Sequence, residues 1–209
     1  MPKRPDYING DACHVMTGYP EDRATTEPIR YVFSHSTLGV LLLAASKKGV
    51  VTVLLGTDTI PLTKLLRERF SLADVQPGHW LEDELAMRVA HFIEAPSRGL
   101  NVPLDLRGSR FQHRVWEVIR DIPIGETSTY AAIAHQIGAP TDEHAVGLAC
   151  AANELAIVVP CHRVVDEGAQ SGSRYRWGRS RQLVLLTREQ AIFDDNAADR
   201  EALNGARLP

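Results

Sequence analysis

Cys161 and His162 stand side by side in the run VVPCHRV, with Arg163 directly after them. A thiol, an imidazole and a guanidinium in succession, behind β-branched residues and a proline, are more than a packing cysteine requires. The thiolate is the nucleophilic form of cysteine, and a free thiol with a pKa of ~8.5 is mostly protonated at neutral pH. An imidazole that reaches the sulfur, directly or through water, can take that proton, and an acid behind it would orient and stabilise the imidazolium. Glu189 is one candidate for that acid, which the residues alone do not select over others. The same dipeptide recurs as Cys13-His14 in a polar stretch, where it reads as inert. Cys150, set among Ala and Leu, reads as core.

Composition narrows the classes. The chain has 209 residues, 44% of them hydrophobic, which suffices for one large domain or two small ones with real cores. The three cysteines are far apart and form no C-x-x-C pair, which argues against a disulfide framework or a Cys-rich zinc site and for a reducing cytosol. Cys13, His14, His35 and His79 show no ligand spacing, so no metal is expected. A formal net charge of −3 gives no global basic field, and any DNA binding must come from a local patch. The first residues contain no apolar signal-peptide core and no run reaches transmembrane length, so a cytoplasmic protein without a membrane partner is expected.

Periodicity shows the elements that must position the reactive groups. Residues 1–27 are polar and aperiodic, a tail or a leading loop. IRYVFSHS, GVLLLAAS and GVVTVLLG, separated by short turn signals, predict an antiparallel meander. LTKLLRERF and LEDELAMRVAHFIEA predict two amphipathic helices on one face of that sheet. Together these make an amino-terminal α/β domain over 28–103. From Ser109 the texture becomes helical: Ser109 can N-cap a helix whose buried face is Phe111, Val115, Trp116, Val118 and Ile119. TSTYAAIAHQIG and TDEHAVGLACAAN, joined by Gly138-Ala139-Pro140, predict a helix-turn-helix with Thr141 as the second N-cap. VVPCHRV reads as a strand, followed by a Gly/Ser-rich loop and the helix SRQLVLLTREQAIF. These complete a second domain over 104–192, with a peripheral tail over 193–209. The small residues Ala145, Gly147, Ala149, Ala151 and Ala152 allow two readings: close packing in the core, or a helix that enters a groove only ~6 Å wide.

Taken in order, RFQHRVWEVIRDIPIGETSTYAAIAHQIGAP, AVGLACAAN, PCHRVV and YRWG with its following R, LL and E resemble the O6-alkylguanine-DNA alkyltransferases, or methylated-DNA–protein-cysteine methyltransferases. The likeness is greatest to the carboxy-terminal half of the bacterial adaptive-response proteins and their stand-alone relatives, whose zinc-bearing half has no counterpart here. The resemblance implies an α+β fold: a small three-stranded antiparallel sheet with helices, ribonuclease-H-like, followed by a mostly helical, winged helix-turn-helix-type domain. It implies DNA repair by irreversible, single-turnover transfer of an alkyl group from O6-alkylguanine, with O4-alkylthymine as a further donor, to Cys161. Double-stranded DNA is then the partner and no cofactor is needed; a monomer is expected, because one nucleotide pocket suffices and no heptad or apolar edge suggests otherwise.

Residue by residue, the resemblance makes Cys161 the acceptor, His162 its base through a water, and Glu189 the carboxylate behind the imidazole. Tyr130 helps to flip the nucleotide and donates a proton toward the departing guanine, and Asn153 braces the active-site turn. His144, Ala145, Gly147 and Arg163 are expected against DNA. The carbonyls of Cys161 and Val164 read the guanine amino group, Tyr175 and Arg176 close over the base, and Trp177 narrows the pocket mouth. The chemistry is coherent. O6 is unreachable inside a duplex, so the base must be extruded; an apolar pocket then aligns the thiolate for in-line attack, and a phenol can protonate the leaving group. Simpler roles remain for each: a core Tyr130, a helix-capping Asn153, a solvated Glu189. Arg174, Arg176, Arg179, Arg181 and Arg188 are either a solvated face or phosphate contacts.

The departures from the family pattern lie on the side that should face DNA. His144 replaces an arginine that fills the hole left by the flipped base, and an imidazole is shorter and lacks the guanidinium fork. Asp142 and Glu143 suit a helix N-terminus but repel phosphates. Glu154 stands for a proline and Arg174 for a glycine. From Asp105 to Glu189 ten arginines and no lysine face ten acidic residues, a weak footprint for a duplex binder. The expectation is intact alkyl transfer with an altered grip on DNA. The competing readings are a lesion sensor or regulator, an acceptor of alkyl groups from a non-DNA donor, and a Cys–His hydrolase, for which no oxyanion-hole glycine motif is present.

Overall fold

The computed structural model describes residues 26–96, 99–166 and 175–190. Cys13, His14, Arg174, the Gly/Ser-rich loop, residues 1–25 of the leading segment and the tail from 193 lie outside them.

Strands β1 (Ile29–Ser36), β2 (Gly39–Ser46) and β3 (Gly49–Gly56) form the antiparallel meander, with Phe33 opposite Leu42 and Leu42 opposite Leu54. Gly39 makes the β1–β2 turn at φ +109°, and a Cβ there would lie 2.3 Å from the Gly56 carbonyl oxygen, so no side chain fits. Every residue of β2 from Val40 to Ala45 is buried, which means that both faces of the sheet are covered. Helix α1 (Thr59–Arg69), capped by the Asp58 side chain, packs on β2 and β3; helix α2 (Trp80–Glu94) packs on β1 and β2.

The sheet is larger than the expected three strands. A short β4 (Val75–Pro77) runs parallel to β1, giving a mixed four-stranded sheet in the order β3-β2-β1-β4. Three residues are too few for a period-two signal. They pair because the connection between α1 and α2 crosses the free edge of β1, where Ile29 N–H donates to the Asp74 carbonyl at 3.0 Å and Gly78 N–H to that of Tyr31 at 2.8 Å. Pro77 is tolerated on this edge because its missing N–H faces away from any further strand.

Helix α3 (Arg110–Arg120) begins with a capping box: Gln112 N–H donates to Ser109 Oγ at 3.2 Å, and Ser109 N–H to Gln112 Oε1 at 3.0 Å. It buries Val115, Trp116 and Ile119, with Phe111 and Val118 packed against that core. Helices α4 (Tyr130–Gln136) and α5 (Glu143–Ala151) pack on each other and on α3, and the turn between them uses Gly138 at φ +75°. Trp116 Nε1 donates to the Ala149 carbonyl at 3.0 Å, anchoring α5 to α3. Gly147 and Ala149 are buried while Ala151 is exposed, so these small residues serve close helix packing rather than one continuous surface stripe. Thr141 is not the N-cap of α5: Asp142 occupies that place and makes no side-chain cap bond. The Thr141 hydroxyl turns to the Asp142 carboxylate instead, at 3.5 Å.

The segment read as a strand is mostly a turn. Cys161–Arg163 form one 3-10 turn, and only β6 (Val164–Val165) is extended, parallel to β5 (Ser128–Thr129). Pro160 has no N–H for a ladder, and the Val159 carbonyl is taken by the Asn153 side chain at 2.9 Å and by the Cys161 N–H at 2.8 Å. The hydrophobic run was therefore a buried loop.

Backbone pairing and arginines join the two parts. The outer edge of β3 is covered by the linker at Leu104 and by Leu155 of the loop before Cys161, through single parallel bridges to Val50 and Val53. Residues 179–190 form helix α6. From it, Arg181 donates to the Leu38 carbonyl at 2.8 Å. Arg188 donates to the Ile93 carbonyl and to Thr37 Oγ1, both at 2.7 Å, and pairs with Glu94 at 3.2 Å. These two arginines are ties to the sheet and its helix, not phosphate contacts. No helix among the described residues is long and apolar enough to cross a membrane.

Candidate active site

The thiol is held by Asn153, two residues past the end of α5. Asn153 N–H donates to the Cys150 carbonyl at 3.2 Å, and its side chain bridges the loop that follows. Asn153 Oδ1 accepts from Leu155 N–H at 2.9 Å; Asn153 Nδ2 donates to the Val159 carbonyl at 2.9 Å and to Cys161 Sγ at 3.2 Å. Between these contacts, Ile157 adopts φ +72° with its side chain buried, a left-handed conformation that a β-branched residue holds only where its surroundings over-determine it. One amide thus fixes both the path of the loop and the sulfur at its end. Cys161 is 4% exposed.

Behind the thiol lies a closed ionic cluster. His162 and Glu189 are both fully buried, with Nε2 2.9 Å from Oε1. Arg163 clasps the same carboxylate side-on, Nε to Oε2 at 2.8 Å and Nη2 to Oε1 at 2.9 Å, while Nη1 donates to the Ile122 carbonyl at 2.6 Å. Burial alone would raise the Glu189 carboxyl, but the hydrogen bonds and charges of His162 and Arg163 overcome it and hold the group at about 2. Burial pushes the His162 imidazole below its ordinary value, opposed by Glu189 and assisted by the Arg163 charge. An ionised carboxylate only accepts, so the neutral ring must carry its proton on Nε2 and keep its lone pair on Nδ1. That Nδ1 is buried and has no hydrogen-bond partner among the described residues, which leaves it available as a base.

The remaining expected residues fall into two groups. Near the thiol, Tyr175 meets the His162 ring edge-on, with centroids 6.1 Å apart, and burial together with the neighbouring Cys161 pushes its phenol well up. Trp177 is buried beside it in the core, with the Arg176 guanidinium 5.3 Å from its ring centroid. Arg176 Nη1 donates to the Ala151 carbonyl at 2.7 Å, tying this segment to the C-terminus of α5. Tyr130, buried at the start of α4, follows Thr129, whose pairing with Val165 brings it alongside the cysteine turn. Val164 is buried at the end of that turn. Farther out, His144 is exposed and Ala145 half-buried on the first turn of α5, beside exposed Asp142 and Glu143, while Gly147 is buried. Arg163 does not face outward as expected; it is 5% exposed and wholly engaged inside the cluster.

Two participants were not anticipated. Gln182 on α6 is buried and donates from Nε2 to the carbonyls of His162 at 3.0 Å and Val164 at 3.3 Å, locking the backbone of the turn. Its only trace in the sequence is a position one turn before Leu185–Leu186, which gives no reason to single it out. Cys150, read as core, is buried, but it also neighbours Cys161; that thiol, together with burial, pushes its pKa well above the ordinary thiol value and keeps it protonated. No group of three or more His, Cys, Asp or Glu side chains among the described residues could hold a metal ion.

A buried thiol braced by an amide and backed by a neutral imidazole on a carboxylate, in the same part of the chain as a helix-turn-helix, defines a class of site that can carry nucleophilic cysteine chemistry. The family described as 6-O-methylguanine DNA methyltransferase, DNA binding domain, matches residues 110–191. The Escherichia coli bifunctional transcriptional activator/DNA repair enzyme Ada is 43% identical over 162 residues, 77% of this chain and 45% of Ada. A methylated-DNA–protein-cysteine methyltransferase of Mycolicibacterium paratuberculosis is 52% identical over 43% of this chain and 54% of its own length. The chain thus spans about half the length of these curated relatives. The crystal structure of the Mycobacterium tuberculosis O6-methylguanine methyltransferase superposes with a TM-score of 0.63 at 33% identity, covering 78% of this chain and 93% of that one. The chain belongs to the 6-O-methylguanine DNA methyltransferase family.

Proposed function

We propose that this protein repairs DNA by accepting the alkyl group of O6-alkylguanine on Cys161, once per molecule, as a monomer in the cytoplasm. Residues 104–192 carry the chemistry and the DNA contacts, and residues 28–103 support them. The observation that carries the reading is the fully buried His162–Glu189 contact. With Glu189 ionised, it leaves His162 neutral and basic at Nδ1, one residue from a thiol already accepting a hydrogen bond from Asn153.

The steps follow from these groups. His162 Nδ1 takes the thiol proton through a water, and Glu189, held by Arg163, stabilises the resulting imidazolium. Asn153 Nδ2 donates toward the developing thiolate. The sulfur attacks the alkyl carbon of an extruded base in line. The S–C bond forms as the C–O6 bond breaks, and the electron pair leaves on the guanine, which Tyr130 protonates. The thioether has no route back to a thiol, so the protein acts once. The names of the relatives, a DNA repair enzyme and a methylated-DNA–protein-cysteine methyltransferase, support this reading, as does a solved structure of the M. tuberculosis protein in complex with DNA.

Intact-protein mass spectrometry after incubation with an O6-methylguanine duplex tests it. The expected result is one added methyl group, mapped to Cys161 and missing in Cys161→Ala. No mass gain, with the free methylated base also inert, would reject it.

A further inference from the structure

Glu154 stands next to the amide that holds the thiol, and it is the point at which the loop is fastened to the amino-terminal sheet. Its carbonyl accepts from Val53 N–H at 2.7 Å and from Thr52 Oγ1 at 3.0 Å, while Ala156 N–H returns a bond to the Val53 carbonyl at 3.1 Å. Its carboxylate forms an ion pair with Arg69, the last residue of α1. Both residues are only 6% exposed. The pair therefore joins the C-terminus of a helix in one part of the molecule to the residue directly after Asn153 in the other. A buried ion pair is rarely a better source of stability than apolar side chains of the same volume. What it supplies that apolar packing does not is a choice of partner: the Glu154 carboxylate is drawn to the guanidinium at Arg69 Nη1.

We propose that Arg69 and Glu154 are positioning residues for Cys161. By holding residue 154 in register on the β3 edge, the pair sets where the Asn153 side chain delivers its hydrogen bond to the sulfur, so that the amino-terminal sheet and α1 tune the reactivity of a thiol in the carboxy-terminal part. This rests on the reading of Cys161 as the acceptor. The line of force runs from Arg69 to Glu154, through the Glu154 backbone to Asn153, and from Asn153 Nδ2 to Cys161 Sγ. Neither Arg69 nor Glu154 touches the reacting atoms.

The test uses the full chain with Glu154→Gln, Arg69→Met, the apolar pair Arg69→Met/Glu154→Leu, and Arg69→Lys as the conservative rescue. Two rates are measured: single-turnover methyl transfer from an O6-methylguanine duplex, and alkylation of Cys161 by iodoacetamide without DNA across pH, read on the Cys161 peptide by mass spectrometry. Thermal unfolding is followed alongside. The expected result is a fall of about 10- to 100-fold in the saturating transfer rate with unchanged duplex affinity, and an iodoacetamide profile moved to higher pH, in Glu154→Gln, Arg69→Met and the apolar pair. Arg69→Lys should recover most of the rate. The apolar pair guards against simple misfolding, because it replaces the charges without leaving one unpaired. A folded apolar pair with native rate and native pH profile would overturn the proposal, as would failure of every variant to fold, which would make the pair structural. The iodoacetamide profile needs no methylated DNA, so a failure of the repair reading, seen as wild-type protein inert to the duplex, remains distinct from a failure of this one.

Discussion

Arg163 and Glu189 meet side-on, two parallel N–H to oxygen bonds of 2.8 and 2.9 Å inside the protein, and the same carboxylate serves His162 from the other side. A single buried anion thus satisfies two neighbours of the thiol. Removing its strongest partner leaves a charge in a dry site. Arg163→Met should cost about 3–5 kcal/mol of stability by urea unfolding, and Arg163→Lys should restore only part of it because an ammonium cannot reproduce the fork.

Two pH windows follow from this cluster. Glu189 sits at about 2 when folded, below the ~4.3 of an unfolded glutamate. Its contribution is therefore present above the unfolded value and is lost as pH falls from there toward 2, a loss of about 3 kcal/mol. His162 is also depressed on folding, so the unfolded chain binds more protons below ~6.5 and stability declines as pH drops from that value toward the folded one. The base on Nδ1 stays unprotonated over the same range, so the transfer rate should hold its plateau below pH ~6.5 before falling. Unfolding measured from about pH 2 to 8 and single-turnover rates from about pH 4 to 8 check both. In a Glu189→Gln protein the acid-side loss of stability assigned to residue 189 should vanish.

Asn153→Ala should damage rate more than fold. It removes the donor to Cys161 Sγ, takes one of two donors from the Val159 carbonyl, which keeps the Cys161 N–H, and frees Leu155 N–H. The expected cost is about 1–3 kcal/mol of stability for the unsatisfied groups. The transfer rate should fall further than the unfolded fraction explains, as a comparison of stopped-time assays with thermal melts would show.

The N-terminal end of α5, which carries His144, also presents exposed Asp142 and Glu143. Asp142→Asn/Glu143→Gln should tighten duplex binding by removing repulsion from phosphates, at a loss of a few tenths to about 1 kcal/mol of helix stability. Fluorescence anisotropy against salt concentration gives the first and thermal unfolding the second.

The same titration separates the arginines of α6. Arg181 and Arg188 are bonded to Leu38, Ile93, Thr37 and Glu94, whereas Arg179 is exposed. Arg181→Ala and Arg188→Ala should lower the melting point and leave the salt slope of DNA binding unchanged. Arg179→Ala should reduce that slope by about one and spare the fold.

Much of the architecture was legible in residue order because it depends on local rules. Short apolar runs separated by turn signals made the meander, Ser109 with Gln112 made a helix start, and Gly138 made a turn that any non-glycine residue would strain. The motif order from Arg110 to Glu189 named the thiol, the imidazole and the carboxylate. Local rules also misled where a long-range partner won. VVPCHRV has strand composition, yet Asn153 and Pro160 withdraw its backbone from any ladder. Thr141 has the right side chain for an N-cap, but the helix begins one residue later.

What the amino-acid order determined by itself was which groups could react and which segments could be helix or strand, since both depend on residue type and near neighbours. Tertiary structure alone decided the direction of each charge. It turned Arg163 inward to Glu189, Arg181 and Arg188 toward the sheet and its helix, and Glu154 toward Arg69, all across separations that no periodicity records. A long charged side chain reaches many places from one backbone position, and only the packed neighbours, by excluding water from some of them, choose among these.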